Sequence, residues 1–168
     1  MRMKHTALMA ALTIFCGTTL FGAESLLKGK WGSWIQGDFR KAGSEVKINS
    51  DNSIDVKVKI PEGKKGLHNI QLIKNVNLAK DKKYKLTFDL SSDVAGDISA
   101  SYILSKAPWT TYASAKIKVT SDKKTYECVI APKESKDGYG EPRSLRFYLA
   151  NLNGATINIS NISLTEME

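Results

Sequence analysis

Cysteine and histidine are nearly missing: the 168 residues contain two of each. That leaves no material for a disulfide framework, nor for a zinc site of His and Cys ligands. There is no Gly-rich phosphate loop, no Pro/Ser/Gly-rich linker and no internal repeat. No window carries the apolar spacing of an amphipathic helix. Beyond the first residues, no apolar run reaches membrane-spanning length. Acidic residues are the minority charge, 17 against 25 basic, for a net +8. The excess Lys is spread, not clustered. Lys57, Lys59, Lys116 and Lys118 alternate outward along strand patterns, where they discourage edge-to-edge pairing. A diffuse attraction to an anionic polymer or envelope is the other reading.

What is present is a one-domain length with 42% hydrophobic and 25% charged residues, a composition that excludes a disordered or collagen-like chain. Residues 1–23 read as a secretory signal peptide: Arg2 and Lys4, an apolar stretch from Ala7 to Phe21, then small Gly22 and Ala23. Cleavage is expected after Ala23 or one residue earlier. A lipoprotein reading would use Cys16, but bulky Phe15 precedes it. Removing Arg2 and Lys4 leaves 23 basic against 17 acidic residues, a net +6 for residues 24–168. That segment keeps only Cys128 and His68, so it is expected to hold together by core packing. The expected location is secreted or periplasmic.

Period-2 alternation then recurs almost throughout. It is seen at Ile54, Val56, Val58 and Ile60, and again at Tyr84, Leu86, Phe88 and Leu90. It continues at Ala115, Ile117 and Val119, at Tyr126, Cys128 and Ile130, at Leu145, Phe147 and Leu149, and at Ile157 and Ile159. Each run ends in turn residues such as Pro61-Glu62-Gly63 or Asn151 to Gly154. Roughly nine to eleven strands are expected, packed as an all-β antiparallel β-sandwich, a jelly roll. Pro132 to Pro142 is expected as a long surface loop.

The strands follow a recognisable order. HNIQLIKNVNLAKDKKYKLTFDLSS begins at His68. A strand ending at Leu104 follows, then WTTY (Trp109 to Tyr112), TYECVI (Thr125 to Ile130), LRFYLAN (Leu145 to Asn151) and NISNISL (Asn158 to Leu164). Over about residues 26–166 this order resembles the carbohydrate-binding modules of families four, nine and twenty-two. The resemblance implies a galactose-binding-like jelly roll that binds β-glucans or xylans without cleaving them. It also implies a glycoside hydrolase as the associated enzyme, acting here in trans. The family's last strand usually carries an Asp that helps hold a structural calcium. This chain has Ser160 and Asn161 there, so no calcium ligand set can be assigned.

The candidate sugar contacts are Trp109, Tyr112, Gln71, Asn69, Arg146 and Trp31. A flat aromatic matches the C–H face of a pyranose and tolerates water at its edge. Trp109 and Tyr112, after Pro108 in a polar stretch, are therefore the expected stacking platforms. The alternative is that Trp109 packs on the core rim and Tyr112 starts a strand. Gln71, Asn69 and Arg146 alternate with apolar neighbours and offer donors and acceptors for hydroxyls; the alternative is an ordinary solvated sheet face. Of the two N-terminal tryptophans, Trp34 is expected in the core, while Trp31 is open between core and cleft. Tyr148, Asp89 and Tyr139 are weaker candidates. His68 has no partner for metal or nucleophile chemistry, and Cys128 reads as a small buried hydrophobe.

Catalysis is not expected. A glycosidase needs two carboxylates roughly 5 to 9.5 Å apart, whereas Asp51, Asp81, Asp93, Asp97, Asp122 and Asp137 fall mostly in turns. No nucleic acid partner and no membrane insertion are expected. The rival to a polysaccharide-binding module is a structural or protein-interaction sandwich at the cell surface.

Overall fold

The computed structural model describes residues 24–168. Residues 1–23, read above as a signal peptide, lie outside the described residues with Cys16 and His5. The order is β1 (Gly32–Ile35), α1 (Gly37–Lys41), β2 (Glu45–Ile48), β3 (Ile54–Lys57), a 3-10 turn (Leu67–Asn69) and β4 (Ile70–Asn75). Then come β5 (Tyr84–Ser92), β6 (Gly96–Leu104), β7 (Thr111–Val119), β8 (Lys124–Ile130), β9 (Arg143–Tyr148) and β10 (Thr156–Glu166). These form two antiparallel five-stranded sheets, ordered β1-β4-β9-β6-β7 and β2-β3-β10-β5-β8. The all-β sandwich expected from the alternation is the observed architecture. The five-residue α1 is its only α-helix among the described residues, with Gln36 Oε1 accepting from the Asp38 and Phe39 amides at its start.

The alternating apolar residues point between the sheets. Leu72, Ala100, Leu145 and Phe147 face Ile54, Val56, Leu86, Phe88, Leu90, Ile157 and Ile159, all buried. Each such large side chain contributes about 1.5–3 kcal/mol by leaving water. The two sheets meet at Phe88 and Phe147, edge to face with centroids 5.0 Å apart. Trp31 also packs on Phe147, tilted, with centroids 5.7 Å apart.

Strand β9 departs from simple alternation: all six of its residues are buried. Its inner face is Arg143, Leu145 and Phe147. Its outer face is Ser144, Arg146 and Tyr148. As the middle strand of its sheet, it is covered on the outside as well, and what covers it is the wall of a cleft.

The loop from Ala131 to Pro142 is partly interior. Pro132 is buried, and Tyr139 donates its hydroxyl to the Leu78 carbonyl at 2.9 Å and packs on Tyr112 at 4.6 Å. Tyr139, a weaker candidate for sugar contact, is thus a packed residue. Burial, with the Tyr102 hydroxyl close by, pushes its phenol above the usual tyrosine range against the opposing charge of Arg143. Cys128 is half-buried, and desolvation pushes its thiol up to about 11.

Candidate functional site

A cleft of about 650 Å³ lies on the outer face of the β1-β4-β9-β6-β7 sheet, lined by Trp34, His68, Gln71, Ile73, Ile103, Trp109, Thr111, Arg146 and Tyr148. The register explains why residues so distant in sequence share it. Trp34 is paired with Gln71, and Gln71 with Tyr148. Ile73 is paired with Arg146, and Arg146 with Ser101. In an antiparallel sheet, directly opposed residues point to the same face.

The floor is a hydrogen-bonded chain. Gln71 Nε2 donates to the His68 carbonyl at 2.6 Å, which holds its amide in one orientation. Its Oε1 accepts from Arg146 Nη1 at 2.9 Å. Arg146 Nε donates to Ser144 Oγ at 3.0 Å, and that hydroxyl is also met by Ser105 Oγ at 2.9 Å. The guanidinium carbon lies 5.3 Å from the centroid of the Trp109 ring, within cation–π range. Desolvation lowers the Arg146 pKa and raises that of Tyr148 beside it. His68 meets Tyr148 edge to face at 4.4 Å.

The walls are aromatic. Trp109 is 53% exposed and Trp34 45%, the two exposed aromatic side chains among the large apolar residues of the described chain. Trp109 stands at φ 59, its amide donating to the Lys106 carbonyl at 2.8 Å. A bulky residue in the left-handed region costs of order 1–3 kcal/mol and is held there by its surroundings. Here that backbone turns the indole over Arg146.

Five expectations are corrected. Trp31, a cleft candidate, is 7% exposed and belongs to the core, while Trp34, expected in the core, stands in the cleft. Trp31 and Ile35 share a parity and both are buried, and Trp34 has the opposite parity. Tyr112 is buried on the inner face of β7, where its hydroxyl accepts the Gly140 amide at 2.9 Å. Asn69 ends the 3-10 turn instead of lying on a strand. Its amide turns back to the Lys65 carbonyl at 3.3 Å, over Gly66, whose φ of 141 suits glycine. Asp89, a weaker candidate, faces out from the other sheet, bonded to Thr125 and Asn161.

Gln71, Arg146 and Trp109 are therefore brought together, with Tyr148, His68 and Trp34 completing the cleft. Asn161 donates its amide to Asp89 Oδ2 at 2.7 Å. Where the resembled family puts a calcium-holding Asp, this chain has Ser160 and Asn161. Among the described residues, no three His, Cys, Asp or Glu side chains cluster as a metal site.

Solved structures share this architecture. A CBM4 structure superposes with a TM-score of 0.63 at 20% identity, over 82% of this chain and 86% of its own. The second N-terminal cellulose-binding domain of Cellulomonas fimi β-1,4-glucanase C gives 0.60 at 19% identity, covering 89% and 94%. The first N-terminal cellulose-binding domain of the same enzyme gives 0.58 at 13%, covering 85% and 93%. The chain has the carbohydrate-binding-module jelly-roll fold. No protein-family model and no curated protein matches the sequence. In this module fold the cleft occupies the outer face of one sheet, so the core and the candidate site are on opposite sides of the same strands. No helix among the described residues is long and apolar enough to cross a membrane.

Proposed function

We propose that the protein binds a polysaccharide in this cleft without breaking a bond, and that the chain it takes is of the β-glucan or xylan type. The observation that carries this reading is the pair of exposed tryptophans, Trp34 and Trp109, standing in one cleft over a polar floor of Gln71 and Arg146. Exposing two indoles to water is unfavourable unless something apolar and flat covers them, and a sugar ring does so while its hydroxyls reach the floor. The likeness in fold to cellulose-binding domains supports the same ligand class. None of the nine cleft-lining residues is Asp or Glu, so this cleft lacks the carboxylate pair that glycoside hydrolysis uses. The same reading makes the protein an exported one, directed by residues 1–23 to the periplasm or outside. It would place a polysaccharide-cleaving enzyme beside it in trans.

Native affinity electrophoresis tests this proposal, with gels containing soluble β-glucan, xylan, mannan or a uronic-acid polymer. Retardation by one of these, lost in Trp34→Ala at unchanged melting temperature, is the expected result. Unretarded migration in every gel would instead favour a protein-interaction sandwich.

A further inference from the structure

Given a sugar in the cleft, as proposed above, the charge of the groove bears on which sugar it is. Strand β9 carries two arginines facing opposite ways. Arg143 points inward, and the fold supplies what a buried guanidinium needs. Glu141 Oε1 lies 3.0 Å from Nη2 and the Tyr102 hydroxyl 2.8 Å from Nε, with the Tyr139 ring 4.2 Å away. Arg146 is about as hidden, 9% exposed against 7%, yet it forms no ion pair among the described residues. Its two acceptors, Gln71 Oε1 and Ser144 Oγ, are both neutral.

Nη2 of Arg146 donates to nothing among the described residues. No buried side-chain nitrogen or oxygen there is left without a partner, so this end of the guanidinium opens onto the cleft. Lys74, buried on the inner side of β4, also lacks a carboxylate, but the backbone carbonyls of Gly29 and Lys30 cap its ammonium. Asp97, on the same sheet face as Arg146, is committed to Lys116 at 2.9 Å. The cleft thus holds a desolvated cation that the chain itself does not neutralise, and such charges are costly until an anion meets them.

We propose that the cleft takes an acidic polysaccharide: a chain of the class named above bearing a carboxylate or sulfate group that seats on the free end of the Arg146 guanidinium. Trp34 and Trp109 would hold its rings. A guanidinium offers paired N–H donors matched to the oxygens of either anion, and such charge-assisted bonds are roughly twice as strong as neutral ones.

The experiment is calorimetric titration of the full chain at 150 mM salt, which screens diffuse surface charge. The probes are two matched pairs: glucuronoxylan and the same polymer with its carboxyls reduced, and a sulfated β-glucan and its unsulfated parent. One acidic member is expected to bind at least tenfold tighter than its neutral partner, and which pair responds identifies carboxylate or sulfate. Arg146→Gln is expected to bring that pair within about twofold. Should Arg146→Gln loosen the fold, Gln71→Glu supplies an internal carboxylate at nearly constant size. It gives up the bond to the His68 carbonyl and pairs with Arg146, and it is expected to erase the same preference while the neutral partner still binds. Equal or tighter binding of the neutral partners overturns the acidic ligand and leaves the sugar reading standing. An acidic preference that survives Arg146→Gln, Gln71→Glu and Trp34→Ala overturns it in favour of diffuse charge. Binding of no polymer at all defeats this proposal and the sugar reading together.

Discussion

Gln71 and Arg146, 75 residues apart in sequence, are joined by a 2.9 Å hydrogen bond across the outer face of one sheet. The bond ties the fourth residue of the HNIQ segment from His68 to the middle strand of the sheet. It leaves Gln71 with its amide oxygen and nitrogen both committed, the latter to the His68 carbonyl. A rigid polar floor between mobile solvent and a packed core is what orients a guanidinium toward a ligand.

Removing that brace has a defined cost. Gln71→Ala leaves Arg146 Nη1 without an acceptor in a nearly buried position, a penalty of about 1–3 kcal/mol. Thermal unfolding should show a lower melting temperature, and affinity electrophoresis should show weaker retardation by whichever polymer binds the parent chain. A variant that melts and binds like the parent would show that Arg146 orients itself without Gln71.

The two N-terminal tryptophans should separate cleanly. Trp31→Ala empties a core position against Phe147 and should cost about 3–5 kcal/mol. Trp34→Ala removes a half-exposed side chain, and its effect on stability should stay within about 0.5 kcal/mol, while polysaccharide binding is lost. Denaturant unfolding and gel retardation, run on both variants, read the two effects independently. The reverse pattern would mean that the assignment of core and cleft is inverted.

Cys128 should be slow toward thiol reagents. With its pKa pushed up to about 11 by burial, only roughly one thiol in a thousand is ionised at pH 8, against about a quarter for an ordinary cysteine near 8.5. In a Cys16→Ser chain, alkylation at pH 8 should be far slower in the native state than after denaturation. Equal rates would place the thiol in water.

Asp55 should make the fold weakly acid-sensitive. Its carboxylate accepts from Asn49 at 2.9 Å and Asn158 at 2.7 Å, joining β3 to β10 and to the turn after β2, and these bonds hold its pKa below the ordinary 3.8. A depressed carboxylate stabilises fully above its unfolded pKa, and the contribution is lost as pH falls through the lower folded value. The melting temperature of the parent should therefore exceed that of Asp55→Ala at pH 7, with the gap narrowing below about pH 3.8. A gap independent of pH would assign the effect to packing.

Much of this protein was legible in the chain, because strand alternation is a local property. Ile54, Val56 and Val58, or Leu86, Phe88 and Leu90, declare their buried parity without reference to any partner, and the sandwich follows from enough such runs. The polar residues between them were legible only as outward-facing. The N-terminal tryptophans show the limit. Both are large and apolar, only parity with Ile35 separates them, and the four-residue strand is too short for alternation alone to decide. Tyr112 shows a second limit. Its neighbours Trp109 to Thr111 are polar or exposed, yet the Gly140 amide and the Tyr139 ring, from a loop far along the chain, cover it.

Composition and alternation by themselves determined the class: an all-β chain with no disulfide framework, a core of aliphatic and aromatic residues, and lysine on the outward positions. Only the tertiary structure decided which outward face became a cleft. That depends on the order of strands within a sheet, which sets Gln71 opposite Tyr148 and Ile73 opposite Arg146, and on the turn that folds Trp109 over Arg146. Side-chain period is a property of one strand. Which strands lie side by side is set by long-range packing, and the chemistry of the cleft exists only in that arrangement.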